Sequence, residues 1–203
     1  VLMAALGLRL WLGQDLPLWL DESWTGMIAT QPDWASFWRE AWLDCNPPLY
    51  YVFMALWTGV FGASDLALRL PSLVFVVLAA LLPLWVRTPG LSRAAAMSFG
   101  ALVMLWQPGF EISLDARSYG LLLLLSTAQI LAYIQLMAAP NKRRALIWTS
   151  LASMAALTHY HALLVSGIQG LALLYVHRAR ALRLWPAALA FMPAFGWLAI
   201  HAP

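Results

Sequence analysis

Acidic residues are concentrated near the beginning of this sequence. Six of the nine carboxylates belong to one stretch, namely Asp15, Asp21, Glu22, Asp33, Glu40 and Asp44. A carboxylate can take a proton from a hydroxyl group or bind a divalent cation through oxygen. The adjacent pair Asp21-Glu22 is therefore the first candidate for catalysis. Its structural alternative is the first turn of a helix, where the helix dipole stabilises negative charge.

A second motif ends the same stretch and reads Asp44-Cys45-Asn46-Pro47-Pro48-Leu49-Tyr50-Tyr51. Proline suits the first turn of a helix and not its interior, so the two prolines predict a helix over 49–62. Asp44 and Asn46 at its mouth become candidate ligands of a substrate. The alternative is a rigid junction between loop and helix, with tyrosines at a membrane interface.

Two further polar segments carry candidate ligands. Between Glu111 and Tyr119 the one basic residue is Arg117, and a guanidinium binds phosphate through paired hydrogen bonds. Its alternative is a salt bridge with Asp115 or Glu111. Arg69, which precedes an apolar run, suits a membrane anchor as well as a ligand.

The segment His159-Tyr160-His161 interrupts a long apolar run. Imidazoles near carboxylates are typical ligands of zinc or manganese. Because residues two apart on a helix point to different faces, at most one of the two histidines faces a site. The alternative is a buried histidine held by hydrogen bonds.

The elements that position these residues are apolar. Hydrophobic residues make up 63% of the sequence and charged residues 10%, whereas about a quarter of a soluble domain is charged. The composition predicts an integral membrane protein. The net charge of +3 does not indicate nucleic acid, because the basic residues lie between apolar runs. The single Cys45 cannot form an internal disulfide and does not report the compartment.

Apolar runs long enough to approach the roughly 17–25 residues of a membrane span predict about seven transmembrane helices. They are the end of a first span at 1–13, then 70–86, 94–110, 119–139, the two halves of 145–176 turning back at His159, and 184–200. Eight of the twelve Lys and Arg residues fall in loops 87–93, 142–144 and 178–183. The positive-inside rule places these loops in the cytoplasm.

This topology puts the N-terminus inside and two polar loops outside. The first outer loop, 14–69, includes helices 22–30 and 33–43 of the kind that lie on a membrane surface. Its segment 47–62 enters the membrane without crossing it. The second outer loop is 109–118. The expected fold is an all-α integral membrane protein with amphipathic interfacial helices in a long first outer loop.

Five blocks together resemble the GT-C fold glycosyltransferases that use polyprenyl-phosphate donors. The similarity is to the bacterial branch of the protein O-mannosyltransferase and aminoarabinose transferase family. The blocks, in order, are Leu20-Asp21-Glu22-Ser23, Asp44 to Tyr51, Phe61 to Ser72, Asp115-Ala116-Arg117-Ser118-Tyr119, and Thr158-His159-Tyr160. The resemblance covers about residues 10 to 175.

The resemblance implies a hexosyl- or pentosyltransferase that moves a sugar, with inversion, from a polyprenyl phosphate to an acceptor hydroxyl. The acceptor is a lipid, a glycan or a protein, the surroundings are membrane lipids, and nucleic acid is not a partner. The site lies on the periplasmic or extracellular face of the bacterial inner membrane, and residues 1–203 are the catalytic module of a longer chain. The implied site comprises catalytic Asp21 and Glu22, substrate ligands Asp44, Asn46, Tyr50, Arg69, Arg117 and Tyr119, and a divalent metal at Asp115 and His159.

Three residues depart from that family's pattern, since Asn46 replaces histidine, Asp115 replaces glutamate and Ser118 replaces proline. The changes bear on metal use more than on the fold. The competing function is a multi-span transporter or lipid flippase with an acidic outer vestibule. Transporters commonly contain repeated halves and polar breaks near mid-membrane, and this sequence contains neither.

Overall fold

Every regular element in the described part of the chain is a helix, which confirms the all-α expectation. The structure is a computed structural model and describes residues 2–13 and 17–201; Asp15 of the acidic stretch lies outside these ranges. The helices are α1 (Leu2–Gly13), α2 (Leu20–Ala29), α3 (Trp34–Leu43), α4 (Leu49–Phe61), α5 (Asp65–Trp85), α6 (Arg93–Leu105), α7 (Gln107–Ser113), α8 (Tyr119–Ala138), α9 (Lys142–Thr158), α10 (Ala162–His177), α11 (Ala179–Leu182), a 3-10 helix (Trp185–Phe191) and α12 (Met192–His201).

Two of the described helices, α5 and α8, are long and apolar enough to cross a membrane, with 21 and 20 residues. Helices α4, α6 and α10 are apolar but shorter. Helix length therefore supports two crossings, not the seven expected. The two long helices pack closely, because a Cβ on Gly120 would lie 3.0 Å from the Cα of Ser72. This contact sets the start of α8 against the first turns of α5.

The expected span 94–110 is wrong as a single helix. Helix α6 ends at Leu105, and α7 begins at Gln107 with Pro108 in its first turn. Arg9 of α1 lies at this break and is 1% exposed. Its guanidinium donates hydrogen bonds to the carbonyl of Met104 and the hydroxyl of Ser113, both at 2.8 Å. The positive charge thus lies at the carboxyl ends of two helices, which the helix dipole favours.

The expected span 184–200 also differs from a regular α-helix. It begins as the 3-10 helix and continues as α12. The hydroxyl of Thr149 on α9 donates to the carbonyl of Ala187 at 2.8 Å, which fixes this segment along α9. Residues 145–176, by contrast, form the expected pair of helices with a turn at His159.

A buried polar cluster joins α8, α9 and α10. Gln129 donates to the side-chain oxygens of Gln169 at 2.8 Å and Ser166 at 3.0 Å. The indole of Trp148 donates to the same Gln169 oxygen at 2.8 Å. Buried polar groups are normally paired in this way, so the cluster specifies how the three helices pack.

The bundle has two chemically different ends. One, called here the basic end, contains residues 86–93, 139–144 and 177–183. Gln135 donates to the carbonyl of Arg87 at 2.8 Å, and His177 contacts the carbonyl of Met137 at 3.1 Å. These contacts bring the three predicted basic loops together.

The opposite end, called here the site end, holds the beginnings of α5 and α8 and the turn after α9. Helix α4 stays at this end. The indole of Trp57 donates to the carbonyl of Ala67 at 2.8 Å, and the rings of Phe53 and Phe75 lie 5.1 Å apart. Both contacts involve the first half of α5.

Candidate functional site

An open cleft of about 650 Å³ lies at the site end. Its walls come from three separate parts of the chain, namely the segment before α2, the first turns of α5, and the region from α7 to the start of α8. The polar and aromatic side chains in the walls are those of Trp19, Glu22, Arg69, Phe110, Glu111, Asp115, Arg117 and Tyr119. The structure therefore brings five of the ten predicted site residues into these walls, namely Glu22, Arg69, Asp115, Arg117 and Tyr119.

Glu22 is the most constrained acid in the cleft and is 1% exposed. Its Oε1 accepts from Nε of Arg69 at 2.7 Å and from the backbone N–H of Ala116 at 2.9 Å. Its Oε2 accepts from Nη2 of Arg69 at 2.5 Å and from the backbone N–H of Trp19 at 3.2 Å. Glu22 thereby ties the beginning of α2 to α5 and to the loop between Asp115 and Arg117. Arg69 is a partner of Glu22 in a buried ion pair.

Asp21 has a different environment, although it is adjacent in sequence. Its side chain is 41% exposed, and its Oδ2 lies 2.8 Å from Nη1 of Arg117. The salt bridge predicted for Arg117 therefore exists, but the carboxylate is that of Asp21 and not that of Asp115 or Glu111. The Arg117 guanidinium also lies over two rings, 5.5 Å from the centroid of Trp19 and 4.9 Å from that of Tyr119.

Asp115 is half-buried in the wall of the cleft. The indole N–H of Trp19 donates to its Oδ1 at 3.3 Å. Burial raises the pKa of Asp115 to about 6, with the charge of Glu22 acting in the same direction and the Trp19 hydrogen bond and Arg117 acting against it. The protonation of this carboxyl group therefore changes close to neutral pH.

His159 approaches the cleft from the turn after α9. Its ring lies 5.8 Å from that of Tyr119, and its Nδ1 is 3.0 Å from Nδ1 of His161. Burial lowers the pKa of His159, and His161 and Arg117 lower it further. The neutral imidazole that a metal requires is thus favoured. Within residues 2–13 and 17–201, no group of three or more His, Cys, Asp or Glu side chains is arranged to hold a metal.

Asp44, Asn46 and Tyr50 do not belong to the described walls of the cleft. Asp44 accepts from the backbone N–H and the side-chain amide of Asn46, at 2.7 and 3.0 Å, and so closes a turn before α4. Tyr50 is 1% exposed, and its hydroxyl has no hydrogen-bond partner among the described residues. This geometry matches the rigid loop-to-helix junction more closely than a ligand site.

Trp19 lies in the wall of the cleft, and the sequence interpretation missed it. It contacts Asp115 through its indole N–H, Arg117 through its ring and Glu22 through its backbone. A signal was available, because an aromatic residue two positions before the acidic pair lies close to the residues that the pair contacts. Among twelve tryptophans in the sequence, nothing in its type alone set it apart.

Comparisons with protein-family models, with curated proteins and with solved structures find no match for this chain. The chemistry of the cleft is therefore argued from the residues of this chain and not from a relative. The wall combines a guanidinium that lies over two aromatic rings with a carboxyl group whose pKa is raised to about 6, and the Asp21 carboxylate pairs with that guanidinium. Such a set can accept a proton and bind an anion within one cleft.

Proposed function

We propose that this chain is a membrane glycosyltransferase of the GT-C type, which moves a sugar from a polyprenyl phosphate to an acceptor hydroxyl with inversion. One observation carries the proposal. Asp21 and Arg117, which the resemblance implies as base and phosphate ligand, come from separate segments and form an ion pair of 2.8 Å, and Arg117 lines the cleft. The cleft opens at the end of the bundle where a lipid-linked donor and an outer acceptor would meet.

The proposed membrane arrangement has seven crossings, with the basic end in the cytoplasm and the cleft outside. Among the described helices, α5 and α8 are the two that are long and apolar enough for a full crossing. The shorter segments, which are α1, α6, α9, α10 and the stretch 185–201, would cross with local thinning of the bilayer. The collection of the three basic loops at one end supports the orientation, because Lys and Arg in short loops favour the cytoplasmic side.

Asp21 is the proposed general base. The acceptor oxygen attacks the anomeric carbon, its proton passes to Asp21, and the bond from that carbon to the phosphate oxygen breaks. The leaving polyprenyl phosphate takes the electron pair of the broken bond, and Arg117 stabilises the charge that develops there. A positioned base contributes on the order of 10²–10⁴ in rate.

The ion pair between Asp21 and Arg117 gives the proposal an order of events. Without a donor, the guanidinium neutralises the proposed base. A donor phosphate offers Arg117 two oxygens in the fork geometry that guanidinium prefers. Once Arg117 binds the phosphate, the Asp21 carboxylate is released to accept a proton.

Glu22 is proposed as a positioning residue and not as a second base. Both of its oxygens already accept hydrogen bonds from Arg69 and from backbone N–H groups. The backbone it holds is that of Ala116, between Asp115 and Arg117. Glu22 therefore acts on the reaction through the position of its neighbours.

A divalent metal at Asp115 and His159 remains part of the proposal. A carboxylate oxygen and an imidazole nitrogen are donors that zinc and manganese accept, and such a metal would supply positive charge beside the phosphate. Two protein donors are fewer than a resident site normally provides. The proton transfer to Asp21 and the phosphate contact of Arg117 do not depend on it.

A transfer assay with a panel of polyprenyl-phosphate sugars tests the function. The wild-type chain should transfer from at least one donor, and Asp21→Asn should lose roughly 10²–10⁴ of that rate. Asp33→Asn is the matched control, because Asp33 caps α3 through the backbone N–H of Ser36 and Asn caps about as well. Absence of transfer from every donor, or equal activity in Asp21→Asn, would reject the proposal.

A further inference from the structure

A second cavity lies near the basic end, away from the cleft. It is a groove of about 170 Å³ between α5, α6 and α8. Its walls include Pro83 of α5, Phe99 of α6, and Ile130 and Ile134 of α8, and Thr127 is the one lining residue with a polar side-chain atom. Ile130 is 46% exposed, so the groove opens on the outer, apolar surface of the bundle. Its shape and lining suit a hydrocarbon chain.

Two arginines lie close in sequence to residues that line this groove, Arg87 in the loop after α5 and Arg93 at the start of α6. Arg87 follows Pro83 by four residues, and Arg93 follows the lining residue Leu91 by two. Both arginines are exposed, and neither forms an ion pair with a carboxylate among the described residues. Gln135 of α8 donates to the carbonyl of Arg87 at 2.8 Å, which holds the loop against the end of α8.

The charge around the groove is uncompensated within the chain. The basic end carries eight Lys and Arg residues, whereas segments 66–110 and 116–203 contain no Asp or Glu. The length of α5 separates the carboxylates of the site end from the basic residues of the opposite end. Charges farther apart than a Debye length of about 8–10 Å are largely screened from each other. The positive charge of this end is complementary to an anionic partner.

Exposed aromatic residues indicate what kind of partner this is. Trp85 at the end of α5 is 63% exposed, and Trp185 at the start of the 3-10 helix is 67% exposed. Both adjoin the basic residues in sequence. Tryptophans of this kind lie at the level of lipid headgroups, and cytoplasmic Lys and Arg beside them are attracted to anionic lipids. A soluble anion would not fill the apolar groove, whereas a lipid would.

We infer that the groove binds one anionic phospholipid, with an acyl chain along Phe99, Ile130 and Ile134 and the headgroup phosphate at Arg87 and Arg93. The inference rests on the membrane arrangement proposed above and is independent of sugar transfer. The site lies at the opposite end of the bundle from the cleft, so a lipid bound there does not compete with a donor.

Lipid binding to the purified full chain in a neutral detergent tests the inference. Phosphatidylglycerol and phosphatidylcholine with identical acyl chains are titrated separately, and bound lipids are counted by native mass spectrometry. The wild-type chain should bind phosphatidylglycerol more tightly. Because each basic residue near an anionic surface contributes about 1 kcal/mol, Arg87→Gln with Arg93→Gln should weaken that binding roughly 30-fold.

Two further variants separate the groove from the general charge of the basic end. Arg143→Gln with Arg178→Gln removes the same charge from exposed positions that do not adjoin the groove, and should retain most of the affinity. Ile130→Trp fills the groove from its exposed rim and should weaken phosphatidylglycerol while the arginines remain. Circular dichroism and elution volume establish that each variant is folded.

Several results would overturn the inference. Equal affinity for the two lipids would remove the role of charge, and equal losses in the two double variants would reduce the site to diffuse attraction. Unchanged binding in Ile130→Trp would exclude the groove. Inorganic phosphate that competes as well as phosphatidylglycerol would identify a free-anion site. None of these results depends on whether the chain transfers a sugar.

Discussion

The Asp21 carboxylate and the Arg117 guanidinium lie 2.8 Å apart, so the proposed base and the proposed phosphate ligand neutralise each other. Their side chains are 41% and 22% exposed. An ion pair with this exposure contributes only about 0.2–1 kcal/mol. The singly charged phosphodiester of the donor can therefore replace Asp21 at low cost, which makes this contact a means of coupling donor binding to release of the base.

Asp21→Asn should separate binding from chemistry. The amide cannot accept the proton, so transfer should fall by roughly 10²–10⁴. It also leaves Arg117 without an anionic competitor, so a polyprenyl phosphate should bind as tightly as to the wild type or a few-fold more tightly. Equilibrium binding of the lipid phosphate and single-turnover transfer measure the two effects. Weaker phosphate binding in the variant would contradict the proposed exchange of partners.

Arg117→Lys should affect the donor more than the acceptor. Lysine keeps the positive charge but loses the paired hydrogen bonds and the planar contact with Trp19 and Tyr119. We expect a raised donor KM together with a lower kcat, and an unchanged acceptor KM. Arg39→Lys on α3 is the control. Donor kinetics equal to the wild type in Arg117→Ala would leave Arg117 with a structural role alone.

Glu22→Gln tests a positioning role through stability. It removes the carboxylate that forms a buried ion pair with Arg69, and breaking such a pair typically costs about 3–5 kcal/mol. The variant should unfold at a clearly lower temperature, unlike Asp21→Asn. Adding Arg69→Met should recover part of the loss, because both members of the pair are then absent. A Glu22→Gln chain of normal stability and no activity would instead identify Glu22 as a catalytic group.

Local signals in the sequence predicted several elements well. The Pro47-Pro48 pair predicted the start of α4, because proline suits only a first turn, and α4 begins at Leu49. The turn at His159 was predicted from polarity within an apolar run. The Tyr119 start of α8 followed from the apolar run after the second polar segment. Each of these signals lies within a few residues of the feature that it predicts.

The failures concern one missed local signal and several contacts between distant segments. Pro108 marks the break after Leu105 locally, because proline suits only a first turn, and Arg9, far away in sequence, binds the end of α6 there. Arg117 pairs with Asp21 and not with its sequence neighbour Asp115, since Asp115 is turned toward Trp19. Partners of this kind depend on how helices pack, which local propensity does not specify.

Cysteine labelling tests the proposed orientation of the bundle. In a chain with Cys45 replaced by serine, a membrane-impermeant reagent added to intact cells should label Asp33→Cys and spare Lys142→Cys. The positive-inside rule is the reason, because Lys142 belongs to the basic end. Permeabilised cells serve as the control and should label both. Labelling of position 142 in intact cells would contradict the proposed cytoplasmic location of the basic end.

Asp115 should make stability depend on pH in a direction opposite to that of most carboxylates. Burial raises its pKa to about 6, above the value of about 3.9 for an unfolded aspartate. Between these values the folded chain holds a proton that the unfolded chain has lost, so its contribution to stability falls as pH rises from about 4 to about 6. Above that window the buried charge is a constant cost.

Asp115→Asn removes this titration and can still accept the hydrogen bond from Trp19. In a metal-free buffer the variant should melt near the wild-type temperature at pH 4 and a few degrees higher at pH 7. Asp33→Asn, at an exposed helix cap, should show no such gain. Added zinc or manganese should raise the melting temperature of the wild type and not of Asp115→Asn if this carboxylate holds a metal. A melting difference that is constant from pH 4 to pH 7 would show that Asp115 does not titrate in this window.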